Sequence, residues 1–134
     1  VARAVLAGTS FVEATCDRAS FTNAVLARAL FNKASLKDAR FAGANCTAAF
    51  FEHVKGLGAS FLRARARQAR FYRASLDGAD FAQADLMGAD FRKAKLFKVS
   101  FKGASLYDAK LLEAAGDDVD FSGANLERAL ISET

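Results

Sequence analysis

Apolar residues recur at every fifth position along this chain, and the register holds from one end to the other. With the repeat centres placed at residues 1, 6, 11 and onward to 131, there are 27 centres; Phe fills eleven, from Phe11 to Phe121, and Leu fills nine. Two residues ahead of a centre the chain carries Ala in 22 of 27 slots, the exceptions being Thr9, Val54, Val99, Val119 and Thr134. An α-helix cannot use this spacing, because steps of five advance each apolar side chain by roughly 140° and scatter it around the cylinder. A flat strand cannot use it either, since residues an odd number apart point to opposite faces. Within one unit, however, the Ala and the centre are two apart and share a side. The chain therefore bends once per unit to keep both inward, and units that cannot bury a face alone must stack: the pattern predicts a solenoid.

Glycine marks the same frame. Seven of the nine glycines (Gly8, Gly43, Gly58, Gly78, Gly88, Gly103, Gly123) lie two residues after a centre, where the bend belongs and where a missing Cβ helps. Gly56 and Gly116 instead occupy centres. Proline is absent, as expected of a chain whose N–H groups are needed for ladders between coils.

The units Ala79-Asp80-Phe81, Ala84-Asp85-Leu86, Ala89-Asp90-Phe91, Ala44-Asn45-Cys46 and Ala124-Asn125-Leu126 closely resemble the pentapeptide repeat family, with its Ala-Asp/Asn-Leu-x-x consensus. Many other units place Ser, Arg, Lys or Val before the centre, which leaves the inward positions intact. The resemblance implies an all-β fold, a right-handed quadrilateral parallel β-helix in which four pentapeptides make one square coil. On that frame residues twenty apart stack at ~4.8 Å. Phe21, Phe41, Phe61, Phe81, Phe101 and Phe121 then line one side, and Phe11, Phe31, Phe51, Phe71 and Phe91 the opposite one, with mostly Leu on the other two. The 134 residues make about seven coils, a rod on the order of 30 Å long. Residues 1–134 read as one domain, whose raw ends point to a segment excised from a longer protein or to ends that pack on something else. A simple trimmed monomer is the alternative.

Neither cysteine suggests chemistry. Cys16 and Cys46 both sit at centres and read as reduced core atoms. One and a half coils apart, they lie on opposite sides, beyond the ~7 Å reach of a disulfide. Reduced thiols fit a cytoplasmic location. No apolar run approaches the ~18 residues of a membrane span.

Catalytic, cofactor-binding and metal-ligating residues are not expected. His53 is the single histidine, outward-facing, and no zinc spacing or phosphate-binding glycine loop is present. Asp80, Asp85 and Asp90 fall on three successive sides, so they cannot converge on one ion. They read as turn-stabilising side chains that bond local backbone.

Charge carries more information. The formal net charge is +4, and Arg63, Arg65, Arg67, Arg70 and Arg73 lie within eleven residues. Stacking places Lys33, His53, Arg73 and Lys93 in one column that ends at Glu13 and Glu113, flanked by Arg70 and Arg92, with Tyr72 beside Arg73. Like charges on neighbouring strands repel, so a column of this sort invites an acidic partner. Phe50, outward beside this column, is a candidate anchor. At Gly56 a missing Leu is expected to leave a void or draw Leu57 inward, and a bulge there could seat a partner. Lys33, Phe50, His53, Gly56, Arg70, Tyr72, Arg73, Arg92 and Lys93 are therefore the candidate partner-binding residues.

The expected role is a rigid, non-catalytic scaffold for protein–protein interaction in a bacterial-type protein, binding another protein or domain and no membrane. Some members of the resembled family imitate duplex DNA and bind type II topoisomerases, through an acidic rod and a dimer-forming extension. This chain is basic. A third reading is direct binding of nucleic acid or another acidic polymer through the basic column, and a fourth is service in a secretion apparatus.

Overall fold

The computed structural model describes residues 3–131; the centre at Val1 and the Ala-type slot at Thr134 lie outside them. From Val5 to Ser105, every fifth residue forms a parallel bridge with the residue twenty later: Val5 with Val25, Ser10 with Leu30, Ser105 with Asn125. Among the described residues the pairing extends to two-residue strands once, between β1 (Lys110–Leu111) and β2 (Leu130–Ile131), again in parallel and again twenty apart. Four units thus close one square coil, and each side of the square is a strand one residue long.

Three main-chain bonds per unit run from coil to coil. Phe11 donates its N–H to the Leu30 carbonyl at 2.6 Å, Glu13 to the Asn32 carbonyl at 2.9 Å, and Leu30 to the Thr9 carbonyl at 2.9 Å. A fourth closes the corner, Ala14 N–H to Phe11 O at 3.0 Å. The residue two after each centre has positive φ at every corner from residue 8 to residue 128, which with a negative-φ residue before it is the arrangement of a type II turn. The seven glycines predicted to turn do so, at φ between 67° and 73°. The remaining corners force eighteen other residues into the same left-handed conformation, each at a local cost that the stacked ladder must outweigh.

One N–H per unit, on the residue after the centre, has no main-chain acceptor. Side chains two residues earlier supply one in several units, and Asp17 and Asp77 supply one from the preceding coil to Lys37 and Phe97. The Asp80 carboxylate accepts from Ala82 N–H at 2.8 Å, Asp90 from Arg92 N–H at 2.9 Å, and Asn45 from Thr47 N–H at 3.1 Å. This is why Asp, Asn and Ser recur before the centre.

Inside, the two Phe ladders meet. Rings in one column stack, as Phe41 on Phe61 (4.7 Å, 2°), while rings of opposite columns meet edge to face across the axis, as Phe61 and Phe71 (5.5 Å, 89°). The Leu columns flank this herringbone rather than separate it, and aromatic pairs favour these geometries by about 0.5–1.5 kcal/mol beyond their burial. Cys46 is buried, and burial pushes its thiol up to about 12. Cys16, expected in the core, is only half-buried because it lies in the first coil, with no full coil beneath it.

The Gly56 expectation is corrected by the structure. Gly56 is buried and keeps the ladder, donating to Ser75 O at 2.7 Å, and it forms no bulge. Leu57 stays outward, 51% exposed. The space left by the missing Leu is taken by Leu76 from the next coil, whose Cδ2 lies 2.9 Å from where a Gly56 Cβ would project. Val54, in a slot that is normally Ala, adds bulk 3.8 Å from the same point.

Candidate partner-binding face

Between the inward Ala and centre columns, each side of the square presents three outward columns. On the side whose centres are Phe31, Phe51, Phe71 and Phe91, the middle column reads Leu30, Phe50, Arg70, Asp90, Lys110. Its neighbours are the corner column Arg28, Ala48, Gln68, Gly88 and the column Asn32, Glu52, Tyr72, Arg92. Ala48 and Gly88 have almost no side chain, so the corner dips on either side of Gln68, with Arg28 at one end and Lys110 of the middle column at the other. The result is a groove of about 570 Å³ lined by these residues.

Phe50 forms part of the groove wall, half-buried, with the Arg70 guanidinium 5.0 Å from its ring centre. One coil on, Arg92 grips Asp90 with a two-pronged pair, Nε to Oδ1 at 2.9 Å and Nη2 to Oδ2 at 2.8 Å. Burial pushes the Asp90 carboxyl up, but the hydrogen bonds and charge of Arg92 outweigh it and hold the group below its ordinary value. Glu52 accepts a hydrogen bond from Asn32 Nδ2 at 2.8 Å.

Tyr72 gathers the neighbouring candidates. The Arg73 and Arg92 guanidinium groups each lie 5.5 Å from its ring centre, and the His53 ring meets it edge-on at 6.0 Å. Arg73 Nε donates to the phenol oxygen at 3.2 Å, and this bond, opposed by partial desolvation and joined by the charges of Arg73, Lys93 and Arg92, holds the phenol below its ordinary pKa. Lys33, His53, Arg73 and Lys93 are exposed at successive left-handed corners, as the column arithmetic anticipates.

The candidates therefore separate. Phe50, Arg70 and Arg92 share the groove. His53, Tyr72, Arg73 and Lys93 form its adjoining corner, with Lys33 farther along the same corner. Gly56 lies inside the next wall and presents no side chain. The arginine run also disperses around half of one coil: Arg63 bonds Gln83 at 2.8 Å and Arg67 pairs with Asp85 at 2.6 Å, and Arg65 lies on a different side of the rod from the groove. Arg28, Glu52, Gln68 and Lys110 line the groove without having been singled out in the sequence, and Asp90, read there only as a turn-stabilising side chain, lines it too. The arithmetic of twenty that aligns the basic corner would have found them. Among the described residues, no group of three or more His, Cys, Asp or Glu could hold a metal ion, and no helix is long and apolar enough to cross a membrane.

This architecture has known counterparts. The family model for pentapeptide repeats matches in eight copies, over residues 2–38, 34–71, 67–103 and 94–132. The chain belongs to the pentapeptide repeat family. Its fold is that family's right-handed quadrilateral β-helix, shared with HetL from the cyanobacterium Nostoc sp. strain PCC 7120, a pentapeptide repeat protein involved in heterocyst differentiation regulation. HetL is 26% identical with a TM-score of 0.67, the match covering 97% of this chain and 69% of HetL. Rfr23 from the cyanobacterium Cyanothece 51142 is 16% identical (TM-score 0.46, 86% of this chain, 61% of Rfr23). QnrB1, a plasmid-mediated fluoroquinolone resistance protein, is 24% identical (TM-score 0.47, 90% of this chain, 59% of QnrB1). The chain thus spans 59–69% of the length of these pentapeptide repeat proteins. No curated protein sequence matches it.

Proposed function

We propose that this pentapeptide repeat chain is a non-catalytic, rigid scaffold that holds a protein partner on the Phe50–Arg70 face. The observation that carries the reading is the groove itself, where the outward Phe50, with the Arg70 guanidinium on its ring, lies beside the small corner residues Ala48 and Gly88. A core of interlocked rings fixes the position of every outward column, so the face is preorganised and little ordering entropy is lost on docking. The role assigned to HetL, in regulating differentiation, is in keeping with a protein that acts by binding.

A second reading places an acidic polymer on the corner of Lys33, His53, Arg73 and Lys93, with Tyr72 offering a stacking face. The cluster of cations around Tyr72 favours it. Imitation of duplex DNA is the weaker reading, because it needs an acidic rod and this chain carries a net charge of +4.

Pull-downs from host lysate separate these readings. The scaffold reading expects a protein captured by the wild type and by Lys33→Glu/Arg73→Glu/Lys93→Glu, and lost with Arg70→Glu. Loss in the corner variant alone, or capture that disappears with nuclease treatment, would transfer the function to the acidic-polymer reading.

A further inference from the structure

From the charge balance of the groove, we infer that its occupant is an extended acidic peptide segment of the partner, anchored by an apolar side chain against Phe50. This rests on the groove being the docking face, and it assigns the chemistry of what docks there.

The groove is lined by four cations (Arg28, Arg70, Arg92, Lys110) and two carboxylates (Glu52, Asp90). Asp90 is neutralised by the two-pronged grip of Arg92, whereas Glu52, hydrogen-bonded by the uncharged Asn32 amide, keeps its negative charge, so the groove carries two positive charges in excess. The remaining cations are Arg28 at one end, Arg70 midway and Lys110 at the other end. They call for at least two negative charges on the occupant, set far apart. Between them the corner recedes at Ala48 and at Gly88, on either side of Gln68, and the Phe50 ring offers an apolar contact on one wall.

Geometry narrows the occupant to an extended chain. Arg28 and Lys110 are about four coils apart, or ~19 Å at the inter-coil spacing, which ~6 residues of extended chain would span at ~3.3 Å each. The backbone of the side walls has its ladder bonds running between coils, so the occupant cannot pair with it as an added strand and must be read through side chains. A chain carrying acidic residues on either side of an apolar one satisfies the surplus cations and the ring together. Arg guanidinium groups also grip carboxylates in a forked geometry, as Arg92 already does with Asp90.

The test is an unbiased library of displayed random dodecamer peptides, selected on the whole chain and, in parallel, on Arg70→Glu and Lys110→Glu. Arg65→Glu, on a different side of the rod, serves as the control. Arg70→Ala covers the case in which charge reversal disturbs the fold, and each variant is first shown to keep the wild-type circular dichroism spectrum. The inference expects enrichment of peptides with Asp or Glu flanking an apolar residue. A labelled peptide from that set should lose about tenfold or more in affinity on Arg70→Glu or Lys110→Glu, and nothing on Arg65→Glu. Enrichment of basic or uncharged peptides, no enrichment, or equal binding by the groove variants overturns it, as does tighter binding of inorganic polyphosphate or duplex DNA at the same residues. If the peptides fail while lysate capture still depends on Arg70, the acidic peptide is wrong and the docking face stands. If capture no longer depends on Arg70, both fall.

Discussion

Leu76 occupies the space in front of Gly56: its Cδ2 lies 2.9 Å from the position a Gly56 Cβ would take, closer than packed carbons tolerate. A core position that looks deficient is therefore full. Gly116 differs: it is exposed, and the atom 2.9 Å from its absent Cβ is Val119 Cγ2 of its own coil. Both glycines lack positive φ, so Ala would fit the backbone, and the usual expectation for such a change is a gain of about 0.4–1 kcal/mol. Overpacking costs about 1–3 kcal/mol and should win. Gly56→Ala is expected to lower stability by about 1 kcal/mol in denaturant titration, and a stabilised variant would show that Leu76 moves aside freely.

Leu86 is fully buried in a Leu column. Leu86→Asp places a charge there without a partner, a change large enough to unfold the rod. Asp77→Ala, at the surface, removes only the acceptor for Phe97 N–H at 3.2 Å and should cost about 1 kcal/mol or less. Far-UV circular dichroism, showing β structure with little helix in the wild type, reads both. A folded Leu86→Asp protein would contradict the core register.

The two thiols should differ in reactivity. Burial raises both, Cys46 to about 12 against an ordinary value of 9.0, whereas Cys16 is only partly covered. Titration of the native protein with a thiol reagent should label Cys16 first and Cys46 only on unfolding. The folded chain keeps a Cys46 proton that the unfolded chain releases, so stability should fall as the pH rises from about 9 toward about 12. Equal labelling rates in the folded protein would place Cys46 outside the core.

Tyr72 should titrate below its ordinary value of 10.0, because Arg73 bonds its oxygen and cations surround it. In a Tyr107→Phe background, which leaves one tyrosine, ultraviolet titration should give a lower midpoint than in the same protein with Arg73→Ala. The midpoint should also rise with added salt, since the neighbouring charges are exposed and screened. An unchanged midpoint in Arg73→Ala would detach Tyr72 from the basic corner.

The fold was legible because stacking makes the same demand at every coil. Phe41 must match Phe61, and Gly78 must bend where Gly58 bends, so the period announces itself. The number of sides was not in the five-residue period and came from the family resemblance. Gly56 misled because a linear sequence shows a missing side chain but not Leu76 leaning into its place from twenty residues on. The basic corner of Lys33, His53, Arg73 and Lys93 was visible as aligned charge. The residues of the groove beside it could have been aligned by the same arithmetic of twenty, but the recess itself depends on the small size of Ala48 and Gly88, which a search for charged or reactive side chains passes over.

Photo-crosslinking tests the docking face most directly. A benzoylphenylalanine placed at Gln68, inside the groove, is compared in cells with one at Gln83, at a different corner. A groove-bound partner predicts one discrete adduct from position 68, absent from position 83 and abolished by Arg70→Glu. An adduct from position 83 alone, or one from position 68 that survives Arg70→Glu, would contradict it.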